Sequence, residues 1–117
     1  MHEGFGNTSL KDSRMVNNRG NRYLCIWRTD VDGLLIEGNL IGDDSDPAIH
    51  IFGSGHRIRN VTIRGNTVIR GAVRVAAGEP HNIRIHDNIY RGTGRGRLRV
   101  GDAAWTGNNS NFDLEVE

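Results

Sequence analysis

The sequence predicts an all-β chain that winds as a solenoid of stacked coils, and three observations lead there. A phrase of the form apolar, any, apolar, polar, turn, Asn recurs at residues 34–39 (LLIEGN), 61–66 (VTIRGN) and 83–88 (IRIHDN), with weaker copies ending at Asn18 and Asn108. The five asparagines are separated by 21, 27, 22 and 20 residues. Between them a second apolar, any, apolar phrase recurs as Leu24-Cys25-Ile26, Ile49-His50-Ile51, Val73-Arg74-Val75 and Leu98-Arg99-Val100, at steps of 25, 24 and 25. Apolar residues alternate with a period of two inside each phrase, and no segment sustains the i, i+3, i+4, i+7 face of a helix.

Each coil then holds three short strands. In the best-defined coil they are 48–52, 61–64 and, after the phrase-ending asparagine, 67–69. Loops are expected where coil length varies and Gly, Pro or Asp cluster, at 28–33, 42–47, 53–60, 77–82 and 92–96. The predicted core runs in vertical columns: Leu24, Ile49, Val73 and Leu98; Ile26, Ile51, Val75 and Val100; Leu34, Val61 and Ile83; Ile36, Ile63 and Ile85; Ile41 and Val68. An asparagine at one corner of every coil passes amide hydrogen bonds up the stack, so Asn18, Asn39, Asn66, Asn88 and Asn108 are the predicted ladder.

The segment Val-Thr-Ile-Arg-Gly-Asn-Thr at 61–67 resembles the repeat of the right-handed parallel β-helix family of the pectate-lyase-like type, and the likeness covers residues 13–110. The resemblance implies about four to five coils, three strands per coil and an asparagine ladder, with residues 1–117 forming one domain. A left-handed hexapeptide helix needs strict sixfold phrases that are absent here, and a β-sandwich predicts hairpins without a ladder. Members of the family cap their ends, commonly with an amphipathic helix, and neither terminus reads as one. The chain is therefore expected to be a segment of a longer solenoid, or to need further coils or a homo-oligomeric neighbour at its open ends. The same resemblance implies an extracellular, cell-surface or virion location, although residues 1–14 do not read as a secretory signal.

Composition narrows the partners. Hydrophobic residues make up 36% of the 117, and no run approaches the roughly 18 apolar residues of a membrane span. No membrane partner is expected. The single Cys25 excludes an internal disulfide and a cysteine zinc cluster. The net charge of +1 hides an uneven distribution: ten arginines between Arg57 and Arg99 face only Glu79 and Asp87, while Asp30, Asp32, Glu37, Asp43, Asp44 and Asp46 lie upstream. Arginine suits planar acid groups, as in carboxylates and sulfates. Nucleic acid is the weaker fit, because few aromatics interleave with these arginines.

If the inward residues are right, Cys25, His50, Arg74 and Arg99 point outward from the first strand in one column, about 4.8 Å per coil. Tyr23, Ala48, Ala72 and Arg97 flank it on one side, and Trp27, Phe52, Ala76 and Gly101 on the other. Tyr23, Trp27, Arg74, Arg97 and Arg99 are the candidate substrate-binding residues, with rings for sugar faces and guanidinium groups for acids. In carbohydrate-active members of the family the first sheet commonly forms the substrate groove, which is where this column lies. The expected function is binding or processing of an acidic polysaccharide, of lyase or glycoside hydrolase type. The alternative is a non-catalytic structural or adhesive solenoid, such as part of a phage tail spike or surface protein.

Whether the chain is catalytic stays open in the sequence. A lyase needs a base beside a neutralised uronate carboxylate, for which His50 and Arg74 are the candidates. A hydrolase needs two carboxyls roughly 5 to 10 Å apart; Asp30 with Asp32 and Asp43 with Asp44 and Asp46, one coil apart on loops flanking the first strand, either converge near His50 or are solvated turn residues. Asp43, Asp44 and Asp46 read as solvated turn residues or a weak calcium site, the only cofactor that the residues suggest. The bland reading leaves Arg74 and Arg99 solvated, or paired with Glu79 and Asp102. Other motifs carry less: Gly78-Glu79-Pro80-His81 only echoes an epimerase signature, residues 92–96 are not placed as a phosphate loop, and His56, His81 and His86 lack metal-ligand spacing.

Overall fold

The computed structural model describes residues 3–5, 9–20, 24–27, 29–42, 48–101 and 104–116, without the side chains of 3–5, 9, 20, 27, 53, 54 and 77–80. Among the described residues the chain is all β, with strands β1 (Glu3–Phe5), β2 (Ser9–Val16), β3 (Arg19–Gly20), β4 (Leu24–Trp27), β5 (Asp30–Glu37), β6 (Leu40–Ile41) and β7 (Ile49–Arg64). The series continues with β8 (Thr67–Val68), β9 (Ala72–His86), β10 (Ile89–Tyr90), β11 (Gly96–Val100), β12 (Ala104–Gly107) and β13 (Phe112–Val116).

Every strand pairing is parallel and joins residues 21 to 27 positions apart, save β11 with β13, where the step is 16. One nine-stranded sheet bends along β7 and β9 into two faces, the first and second sheets; the first stacks β1, β4, the start of β7, the start of β9, β11 and β13. A second stacks β2, β5, the end of β7, the end of β9 and β12. A third, of two-residue strands, runs β3, β6, β8 and β10, and Ser110 continues it by a single bridge to Ile89. Parallel sheets with no helical crossover and a stacked amide ladder make an architecture compatible with a β-helix.

The alternation in each phrase builds the core. Inward columns align as the sequence predicts, Leu24 on Ile49 on Val73 on Leu98 and Leu34 on Val61 on Ile83, and all sixteen predicted core residues are buried. Met15, Val31, Ala48, Ile58, Ala72, Tyr90 and Phe112 are buried as well. Two of these lie in stretches that the sequence assigns to loops. Strand β5 already begins at Asp30, β7 runs without a break from the first sheet into the second, and β9 does the same. Residues 30–33, 53–60 and 77–82 are therefore strand, with a register irregularity between Gly53 and Arg57.

These strands turn at a residue in the left-handed region. Asp12 (φ 45°), Gly33 (φ 90°), Asn60 (φ 55°) and Asn82 (φ 55°) occupy the same height in successive coils, where the pairing skips one residue. Glycine is needed at 33, since a Cβ there would lie 2.8 Å from the Asp12 carboxylate and 3.1 Å from its backbone nitrogen. The extra residue resets the alternation, so Val31 and Leu34 both point inward.

The amide ladder forms, with one correction. Asn18 donates to Asn39, Asn39 to Asn66 and Asn66 to Asn88, each from Nδ2 to Oδ1 at 2.9 Å, but the fifth rung is Asn109, which accepts from Asn88 at 2.9 Å. Asn108 instead holds the left-handed turn position (φ 53°), where Asn17, Gly38, Gly65 and Asp87 stand in the coils above. The register agrees, as Trp105 pairs with Arg84 and Thr106 with Ile85, so the inward residue of the last coil is Thr106. Glycines 92 and 96 pack against Tyr90, whose ring meets Phe112 edge-on at 5.9 Å. That packing accounts for Gly92 and Gly96, while Gly94 holds a left-handed turn (φ 74°).

Candidate functional site

The first-sheet column assembles in the predicted register. Cys25 pairs with His50, His50 with Arg74 and Arg74 with Arg99, and Glu115 of β13 continues the column. Their chain neighbours in the core columns are buried while these four are half-buried, as alternation requires. The His50 ring lies 5.7 Å from the Phe52 ring. Arg97 is exposed and stands between Ala72 and Asp113 in the sheet. Trp27 pairs with Phe52 through the backbone, but its side chain and all of Tyr23 lie outside the described residues. Ala48 and Ala72 are buried, so the strip on the Tyr23 side is not an open floor of small residues.

Two ion pairs lie on this face among the described residues. Arg99 Nε sits 3.2 Å from a Glu115 carboxylate oxygen, and Arg95 Nε donates to Asp113 at 2.7 Å. The expected partners are not described: Asp102 lies outside the described residues, and of Glu79 only the backbone is described, opposite Arg57. Burial pushes the Cys25 thiol above its ordinary pKa, which lowers the thiolate fraction and opposes a nucleophilic role.

Asp30 and Asp32 do not gather around His50. They lie on β5 in the second sheet, two residues apart and so roughly 6.6 Å apart at the backbone. Asp30 Oδ1 accepts from the Arg57 N–H at 3.1 Å and sits 3.0 Å from His56 Nδ1. Asp32 Oδ1 accepts from Asn60 Nδ2 at 2.9 Å, and Asn82 donates on to Asn60 at 2.8 Å, making a short exposed ladder beside the buried one. The Arg57 backbone bond, then His56, holds the Asp30 carboxyl below the usual carboxylate range. A general acid needs the opposite shift. With Leu10, Lys11, Val31, Arg57 and Arg59 these two acids line a hollow of about 190 Å³.

Asp43, Asp44 and Asp46 lie outside the described residues, and among the described residues no group of three His, Cys, Asp or Glu side chains could hold a metal ion. Sequence reasoning missed a surface cluster on the second sheet, Arg84, His86 and Trp105. Its signal was the 21-residue step from Arg84 to Trp105, equal to the Asn88 to Asn109 step and masked by aligning Asn108 instead. Comparison of the chain with family models, with curated proteins and with solved structures finds no match.

Proposed function

We propose that this chain is part of a right-handed parallel β-helix of the pectate-lyase-like kind, and that its first-sheet face binds an acidic polysaccharide outside the cell or on a virion. The observation that carries the reading is the column Cys25, His50, Arg74 and Arg99, held in register through four coils at about 4.8 Å per rung. Two stacked arginines on a flat sheet face, Arg74 and Arg99, suit an extended polyanion better than a small ligand, with Arg99 exchanging its Glu115 partner for an acid group of the chain. Binding is favoured over turnover. The described carboxylates of this face, Asp113 and Glu115, are held in ion pairs by Arg95 and Arg99, and Asp30 with Asp32 belong to the other sheet.

The test is affinity for polygalacturonate and alginate by calorimetry, with a neutral glucan as control. Arg74→Ala combined with Arg99→Ala weakens binding about a hundredfold, as two charge-assisted contacts are lost. Unchanged affinity in a folded double variant overturns the reading. Release of unsaturated ends, read by ultraviolet absorbance, would instead assign lyase chemistry with His50 and Arg74 as the candidate base and cation.

A second reading, a structural or adhesive solenoid, is favoured by one observation. Leu114 and Val116 continue the core columns of Leu98 and Val100 on β13, yet they are 53% and 61% exposed. Apolar residues at inward positions suit coverage by a further coil or by a second copy of the chain.

A further inference from the structure

The second sheet carries an aromatic platform that the first-sheet reading does not use. Stacking brings Thr62, Arg84 and Trp105 into one outward column and Arg64, His86 and Gly107 into the next. Trp105 is 54% exposed, yet its ring is held. The Arg84 guanidinium carbon lies 5.5 Å from the ring centroid, and the His86 imidazole meets the indole at 5.5 Å and 61°. The six-membered ring lies over Gly107, where a Cβ would come within 3.2 Å of Cζ2 and Cη2. Glycine at 107 thus lets the indole lie down along its own strand.

Polar groups of both signs border the ring. The Arg84 guanidinium borders it directly, and Asp87 stands behind His86, with Oδ2 2.6 Å from His86 Nδ1. An apolar ring face beside guanidinium and carboxylate groups matches the chemistry of a pyranose. Its C–H face stacks on indole, its hydroxyls donate to carboxylates and its own acid group meets arginine. A nucleic-acid strand fits less well, because the Asp87 carboxylate beside His86 would face its phosphates.

We propose that Trp105, with Arg84, His86 and Asp87 beside it, is a second glycan-binding platform that takes an acidic pyranose unit on the second sheet. It shares only the class of ligand with the first-sheet reading. The two tryptophans separate the sites, since Trp27 lies on the first sheet and Trp105 on the second. In Trp27→Phe protein the remaining indole emission changes saturably with oligogalacturonate, and Arg84→Ala weakens that response about tenfold. The wild-type protein compared with Trp105→Phe gives the same difference without the Trp27 substitution. Arg74→Ala leaves the Trp105 response unchanged, so failure of the first-sheet reading does not touch this one. The platform is overturned if oligogalacturonate produces no saturable change in Trp105 emission, if oligo-dT titrates it equally well, or if Arg84→Ala has no effect while Arg74→Ala abolishes the response.

Discussion

Asn66 is the rung on which the ladder argument can be tested most directly. Its side chain is buried and makes four hydrogen bonds: Nδ2 donates to Ile36 O at 3.0 Å and to Asn88 Oδ1 at 2.9 Å, while Oδ1 accepts from Asn39 N at 3.0 Å and Asn39 Nδ2 at 2.9 Å. Asn66→Ala removes all four. Two of the partners keep another bond, since Asn39 Nδ2 still donates to Met15 O and Asn88 Oδ1 still accepts from the Asn66 N–H. The Asn39 N–H loses its buried partner, and the Ile36 carbonyl loses the side-chain donor that it has beside its place in the β5–β7 ladder. At about 1 kcal/mol for each ordinary bond and about 1 to 3 kcal/mol for each stranded buried group, the substitution costs on the order of 4 kcal/mol. That is a large fraction of a typical domain stability of about 5 to 15 kcal/mol. Urea unfolding followed by far-ultraviolet circular dichroism reads it as a fall in midpoint at similar slope. Asn82→Gly is the control, because glycine adopts the φ of 55° there without strain and only the exposed bond to Asn60 is lost, at about 1 kcal/mol or less. Equal losses in the two variants would refute the claim that the buried ladder holds the coils together.

Three further outcomes follow from the same geometry. Asn109→Ala lowers the unfolding midpoint clearly more than Asn108→Ala, since Asn109 bonds to Asn88 and to the Ile85 carbonyl whereas Asn108 supplies only a left-handed turn; thermal melts of the pair decide it. Gly33→Ala destabilises by about 1 to 2 kcal/mol through its positive φ and its clash with Asp12, while Gly65→Asn, with only a backbone nitrogen 3.9 Å away and a φ that asparagine adopts, is close to neutral by chemical denaturation. Asp30 has a folded pKa below its unfolded one, so its contribution is present above the ordinary carboxylate value of about 3.9 and fades as pH falls through the lower folded value. Asp30→Asn therefore lowers stability at pH 6 relative to wild type, and the two curves converge at the acid end of a pH series.

Much of the architecture was legible because alternation and period act together. An apolar residue two positions from another, and two dozen from a third, has few places to go other than a stacked interior. The register of Cys25, His50, Arg74 and Arg99 followed from that logic alone. Val31 and Ile58 escaped it because an extra left-handed residue breaks the alternation before Leu34 and Val61, making continuous strand read as loop. A cue was present, since Asp12, Gly33, Asn60 and Asn82 repeat at the same steps as the ladder asparagines. The slip at the last rung has a different cause. Gly107 and Asn108 both tolerate the turn conformation, so the doublet Asn108-Asn109 offers two registers, and only the pairing of Thr106 with Ile85 chooses between them. Asp30 was placed beside the wrong imidazole for the reason that hid Val31: with 28–33 read as a loop, nothing put the carboxylate on the second sheet next to His56.

The nearly constant ladder separations, 21, 27, 22 and 21 residues, bear on how the chain folds. Loop-closure entropy grows only with the logarithm of length, so the longest of these differs from the shortest by about 0.2 kcal/mol. No coil is therefore entropically disfavoured as the starting point. The first two neighbours to zip together form the nucleus, and each later turn of chain adds to a ready edge, as in a one-dimensional array. Unfolding runs the other way and frays from the outermost turns. Amide hydrogen exchange should then be slowest in the middle of β7 and β9 and grade outward, without a single cooperative boundary.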